Sequence, residues 1–180
     1  MNFNKFKNEK GFTLVESLVA IGILTVAILA TFGAVSTSLQ NSTLVKDQTT
    51  AFFLIQEGME YIKNIRDENA LKNINGGANT WITGLDNCLT NKTCSIDSFA
   101  KSVAYCGVAI DSCPALNQNS STKLYGYTSG AGWSNTVFKR GIQITDVVAN
   151  QEVRVTIRVT WTDRGQSKYV EVSQSLFNRQ

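Results

Sequence analysis

The chain has 180 residues and a mass of 19.7 kDa, with 43% hydrophobic residues, 17% charged residues and a net charge of +3. Near-normal apolar content and a small net charge exclude a disordered acidic or basic tail. Histidine is absent, which removes the commonest general acid–base and the commonest metal ligand from consideration. The mean hydropathy of −0.08 suggests an ordinary soluble protein, but it averages two unlike regions.

The chain opens with MNFNKFKNEKG, in which Lys5, Lys7 and Lys10 stand against Glu9. From Phe12 to Val35, 17 of 24 positions are apolar, and the single charge is Glu16. As a helix this run would be about 36 Å long, enough to cross a bilayer core of about 30 Å. The next charge is Lys46. The positive-inside rule then places the N-terminus in the cytoplasm and exports the rest. A secretory signal peptide would have a shorter apolar core followed by a small-residue cleavage site, and here the run passes directly into helical sequence. Glu16 is costly within hydrocarbon. Physics alone leaves two readings open: it has a partner, or it snorkels to the interface and does nothing.

Lys10-Gly11-Phe12-Thr13-Leu14-Val15-Glu16 closely resembles the prepilin cleavage and methylation motif of type IV pilins and type II secretion pseudopilins. In that family a short basic leader ends in glycine, phenylalanine follows, and a glutamate comes four residues later. The ESLVAIGIL continuation resembles the minor-pilin branch. The resemblance covers residues 1–35 closely and is architectural beyond them. It implies that a membrane prepilin peptidase cuts between Gly11 and Phe12 and methylates the amine of Phe12. It also implies that Glu16 neutralises that ammonium on a neighbouring subunit during filament assembly, since each charge alone is costly in hydrocarbon and pairing relieves the cost. Gly11 suits a scissile position, having no side chain to obstruct a protease and little preference for helix.

Residues 36–70 continue the helix, with no proline and one glycine, Gly58. Phe52, Ile55, Met59, Ile62 and Ile65 recur at spacings of three and four and predict one apolar stripe. Glu60 and Lys63 are spaced for an i,i+3 ion pair. The helix is expected to end among Asn69, Asn73 and Asn75-Gly76-Gly77. Continuous from Phe12 to Asn69, it would reach about 87 Å, so its first half must be buried in membrane and then in other subunits. Gly33 sits where many major pilins have a helix-weakening proline; a local melting point and a close-packing site are both open readings.

Residues 71–180 read as an exported head. Its middle, residues 76–137, is dense in Gly, Asn, Ser and Thr, with a strand expected near Val103–Ile110. Cys88, Cys94, Cys106 and Cys113 all fall there. An even cysteine count in an exported chain points to disulfides, and the spacings are not those of a zinc site. Of three possible connectivities, Cys88–Cys94 with Cys106–Cys113 is favoured because each closes a short loop, worth roughly 2–3 kcal/mol. Trp81, Trp133 and Tyr125-Gly126-Tyr127 are expected to pack beneath the long loops rather than form an exposed binding tip. Further on, Val153, Val155, Ile157, Val159 and Trp161 alternate with Arg and Thr, a half-buried strand. Asp163 to Gln166 is a turn and Lys168–Leu176 a returning strand, with Phe138–Val148 as a third. The meander needs a cover, which the helix stripe supplies.

The expected fold is therefore α+β and pilin-like: a long N-terminal helix, transmembrane in residues 12–35, packed on a C-terminal antiparallel sheet, with 1–11 as leader. The expected role is that of a structural subunit, a minor pilin or pseudopilin, of a type IV pilus or secretion-type filament; a membrane-anchored adhesion or ligand-binding protein is the alternative. Expected partners are the prepilin peptidase, other pilin subunits and, before assembly, membrane lipid; the assembled filament lies on the cell surface or in the periplasm. Neither catalysis, cofactor nor metal is expected. Some pilins of uptake systems bind DNA, and Lys139, Arg140, Arg154 and Arg158 raise that possibility here. Nucleic acid is not expected, however, because the chain beyond Gly11 carries 14 basic and 13 acidic residues and alternating Arg and Thr is the usual face of a solvated strand.

Overall fold

The computed structural model describes residues 11–178. The expected leader, Gly11 excepted, lies outside the described residues. The chain divides into two compact units, one up to Val45 and one from Lys46. A single helix, α1 (Leu14–Ile74), contributes to both.

In the first unit the helix buries nothing. Phe12, Leu14, Leu18, Leu24, Leu29 and Phe32 are each at least 60% exposed, and this is the one described helix long and apolar enough to cross a membrane. Its threonine hydroxyls are nonetheless satisfied locally. Thr25 donates to the Gly22 carbonyl at 2.8 Å, Thr31 to Ile28 at 2.8 Å and Thr37 to Gly33 at 3.1 Å. A threonine bonded to its own helix in this way carries no unpaired donor into an apolar medium.

The second unit is an α+β head. Its core is the stripe Ala51, Leu54, Ile55, Gly58, Met59 and Ile62, packed on one face of a seven-stranded sheet. The stripe is rotated from the expected one: Phe52 is 45% exposed, while Ala51 and Leu54 are buried. Gly58 explains the rotation. A Cβ there would meet Ile157 Cδ1 at 3.3 Å, so the helix approaches the sheet closest where it has no side chain. The helix ends at Ile74, where Gly76 takes φ +89° and Gly77 donates its N–H to the Lys72 carbonyl at 2.9 Å. The asparagines near this end act as ties. Asn69 Nδ2 donates to the Thr83 carbonyl at 2.9 Å, and Asn73 exchanges two hydrogen bonds with the backbone of Asn79.

The strands are β1 (Thr93–Asp97), β2 (Ser102–Gly107), β3 (Ala115–Asn119), β4 (Tyr125–Gly126), β5 (Trp133–Val148), β6 (Glu152–Asp163) and β7 (Gln166–Phe177), preceded by a 3-10 turn at Asp86–Cys88. The expected meander is β5–β6–β7, and every strand pairing in the sheet is antiparallel. The middle region is more ordered than its composition suggests. On the far side of β5 from β6, β3 pairs along Trp133–Lys139 and β1 joins at Ile142, with β2 outside β1 and β4 outside β3. Short polar strands such as ALNQN carry little period-two signal; long-range pairing with β5 orders them. Trp81 is buried in the core, and Tyr125 and Tyr127 pack against it half-buried.

Candidate functional site

Gly11, Phe12 and Thr13 precede the first helical residue and are exposed. No atom lies within 4 Å of the position a Gly11 Cβ would occupy, so the Gly11–Phe12 peptide is open on a non-helical stretch. Thr13 caps the helix. Its Oγ1 accepts the Glu16 N–H at 3.2 Å, and its carbonyl accepts the Ser17 N–H at 3.1 Å. Glu16 thus occupies the third helical position, where the positive end of the helix dipole favours a carboxylate. Thr13-x-x-Glu16 is a capping-box spacing, and this signal was present in the sequence beside the cleavage motif. Among the described residues the Glu16 carboxylate has no hydrogen-bond or ion-pair partner. It sits one helical turn beyond Phe12 on a wholly exposed apolar surface.

The basic residues of the head do not form one patch. Arg140, expected on a solvated strand face, is fully buried. The strand's parity accounts for this correction: Phe138, Arg140, Ile142 and Ile144 share the buried face of β5, so Arg140 points at the helix. It is held by carbonyls. Its Nη1 donates to Leu54 O at 2.8 Å and to Glu57 Oε2 at 3.3 Å, and its Nη2 donates to Ile96 O at 2.6 Å. Glu57 also accepts from Ser98 Oγ. One guanidinium therefore joins α1, β1 and β5, a use for which its forked donors are suited. Its Nε is buried with no acceptor.

Beside it, buried Asp97 accepts three backbone N–H bonds, from Phe99 at 3.0 Å, Ala100 at 2.9 Å and Tyr127 at 2.8 Å. Burial pushes the Tyr127 phenol up to about 12; the nearby Arg140 charge opposes this and the Asp97 charge adds to it. Arg158, on the outer face, is neutralised by Glu171 at 2.6 Å and Asp111 at 3.3 Å. Among the described residues Lys139 and Arg154 are exposed cations with no ion-pair partner, a poor footing for a phosphate backbone.

The disulfides pair Cys88 with Cys94 and Cys106 with Cys113, each with Cα atoms 4.8 Å apart. The first lies in the core: Cys88 and Cys94 are both fully buried. The second closes a loop that crosses the outer face of the sheet. The Ile110 carbonyl occupies the space that a side chain at residue 141 would need, so Gly141 lets the loop lie flat. Asp111 then reaches Arg158 and accepts from Thr160 Oγ1 at 2.6 Å, and the Val108 carbonyl accepts from Thr93 at 3.0 Å and Gln143 at 2.9 Å. The sequence placed the cysteines but gave no sign of the loop's destination.

Among the described residues, one exposed apolar helix fit for membrane anchoring, opened by an accessible Gly-Phe junction with a glutamate one turn inside, continues into an α+β head, a pilin-like architecture. The family model for the prokaryotic N-terminal methylation motif matches residues 6–32. That motif is the signature of type IV pilins and pseudopilins, the substrates of prepilin peptidase. No curated protein and no solved structure matches the chain.

Proposed function

We propose that the chain is a structural subunit, a minor pilin or pseudopilin, of a type IV pilus or type II secretion-like filament. The observation that carries this reading is the methylation motif at residues 6–32, placed at the start of an exposed apolar helix. In this reading residues 1–11 are a leader held in the cytoplasm by Lys5, Lys7 and Lys10, residues 12–35 span the membrane and then pack between subunits, and residues 71–180 form the exported head. Prepilin peptidase cuts after Gly11 and methylates the amine of Phe12. The non-helical, unobstructed backbone at Gly11 suits a protease that must bind its substrate outside helical conformation. On assembly, Glu16 of one subunit pairs with the Phe12 ammonium of a neighbour. Each charge loses its desolvation penalty only when the other arrives, so pairing sets the axial register.

Mass spectrometry of the membrane-extracted protein tests the processing. Loss of residues 1–11 with the added mass of one methyl group is expected. An intact Met1 would overturn the reading in favour of a plain membrane-anchored binding protein. Glu16→Ala tests the assembly step. Insertion and cleavage should be retained and incorporation into filaments lost; unchanged incorporation removes the role given to Glu16.

A further inference from the structure

Three turns share one end of the sheet. Asn119 of β3 lies opposite Trp133, the first residue of β5, so the turn 120–124 stands beyond that point. The turn 98–101 between β1 and β2 reaches the same place, because the Phe99 ring lies 5.9 Å from that of Trp133 and Tyr127 donates its N–H to Asp97 at 2.8 Å. Lys139 pairs with Thr160, which brings the β6–β7 turn, 163–166, to this end as well. The helix of the head runs in the direction of β5. Leu54 meets Arg140, Gly58 meets Ile142, and Lys63 and Arg66 stand by Phe177, level with Val148. The three turns therefore surround the end at which α1 enters the head, at Lys46.

Two of these turns repeat one pattern. In the first, Phe99 is 58% exposed and Lys101 follows it; in the second, Leu124 is 50% exposed and follows Lys123. Lys101 and Lys123 both take left-handed backbone, with φ of 52° and 61°, a region that glycine enters freely and lysine only at a cost. Lysine kept at two positions where glycine would fold more easily has a use for its ammonium. Lys46, Lys101 and Lys123 are exposed, and among the described residues none has an ion-pair partner. The carboxylates nearby are occupied or part-covered. Asp97 is buried under three N–H bonds, Asp163 stands 3.9 Å from Arg164, and Asp47 is half-buried. At the opposite end of the sheet Val147 and Val148 are also exposed, but they stand between Asp146 and Glu152.

We propose that this end of the head docks on a bilayer surface of anionic phospholipid, with Phe99 and Leu124 dipping into the headgroup layer and Lys46, Lys101 and Lys123 meeting lipid phosphates. An apolar side chain beside a lysine is the pairing an interface selects, one group entering the acyl boundary and the other staying at the phosphates. Chain continuity chooses the occupant. The residues between Val35 and Lys46 are helical and exposed and span about 16 Å, so a bilayer that takes up the apolar run is tethered to this end of the head. A headgroup layer accounts for about 5–7 Å of that span, and the remainder is about one Debye length at 0.1 M salt. A second copy meeting this end by two-fold symmetry would instead bring like charges together. The proposal rests on the membrane-anchoring reading of residues 12–35, and its test keeps the two apart.

The test places the full chain, a single copy to each disc, in lipid nanodiscs of phosphatidylcholine alone or with about a third phosphatidylglycerol, and follows hydrogen exchange by mass spectrometry. Slow exchange over residues 14–35 in both lipids reports the anchoring; its absence overturns that reading and the docking with it. With the anchor protected, the turns 98–101 and 120–124 should exchange about fivefold or more slowly in the anionic discs than in the neutral ones, while 149–151 is unchanged. Salt at about 0.5 M should remove the difference. Lys101→Gly with Lys123→Gly relieves the left-handed backbone and deletes two cations, so the thermal melt should hold while protection of the turns falls to the neutral-lipid level. Equal exchange of the turns in the two lipids overturns the docking alone, as does full protection in the glycine variant. Protection in neutral discs that needs several chains to a disc assigns the turns to a second copy, and protection that needs added single-stranded DNA assigns them to nucleic acid; either result overturns the lipid.

Discussion

The N-terminal stretch of α1 and its continuation in the head are one helix by hydrogen bonding and two materials by environment. Leu14, Leu18 and Leu29 are at least 62% exposed, while Leu54, Ile55 and Ile62 are at most 3% exposed. Polar groups divide the same way. Thr25 and Thr31 return their hydroxyls to their own backbone, whereas the guanidinium of Arg140 and the amide of Asn69 bond to groups distant in sequence, and Asp97 joins its own turn to the distant Tyr127. The first stretch is therefore locally self-sufficient and waits for an apolar surrounding. The head owes its shape to contacts no single segment could make.

That contrast breaks hardest at Arg140. Arg140→Met removes the cation that ties α1 to β1 and β5 and strands the Leu54 and Ile96 carbonyls. The head should lose about 3–5 kcal/mol, the usual cost of breaking a buried charged network. Urea unfolding followed by tryptophan emission reads the head alone, because Trp81, Trp133 and Trp161 all lie there. Helicity of the N-terminal stretch in micelles should be unchanged; a parallel loss in both regions would refute their independence.

Alkaline pH should act on the same cluster with a smaller effect. The folded Tyr127 phenol is raised from 10.0 to about 12. The neutral form is therefore favoured by the fold, its contribution is complete below pH 10, and it is lost as pH climbs from about 10 to about 12. Two units correspond to roughly 2–3 kcal/mol. Burial raises Tyr61 and Tyr125 in the same direction, so Tyr127→Phe should flatten the fall of stability with pH without abolishing it. An unchanged slope in the variant would remove Tyr127 from the account.

The smallest effect belongs to the first unit. Thr13→Ala deletes the acceptor of the Glu16 N–H and should cost about 1 kcal/mol of helix initiation. The readout is faster amide exchange at the first helical turn, with no change in the head's unfolding midpoint. A shift of that midpoint would mean that the cap supports more than its own turn.

The strongly patterned parts of the fold could be read directly. Seventeen apolar positions between Phe12 and Val35 dictate a helix long and apolar enough to cross a membrane, because length and hydropathy are properties of the segment, and the alternation of Val153 to Trp161 dictates a half-buried strand for the same reason. The methylation motif at residues 6–32 was legible because a linear motif needs only neighbours in sequence. Arg140 was misread because its surroundings mix buried and exposed positions with cations at both Lys139 and Arg140; which one faces inward depends on register with β6, a long-range quantity. Phe52 was misplaced because periodicity gives a stripe but not the angle at which it meets the sheet, and Gly58 against Ile157 sets that angle.

Local physics thus wrote the N-terminal stretch of this protein: a capped helix start, an apolar run, and threonine hydroxyls bonded within one turn. Tertiary contact decided the rest. It ordered the polar strands of residues 93–126 by pairing them into the sheet, laid the Cys106–Cys113 loop over Gly141, and turned a charged strand residue into the tie at the centre of the core. Burial of a charge is decided by the partners that surround it, and those of Arg140 come from α1 and β1, both far from it in the chain.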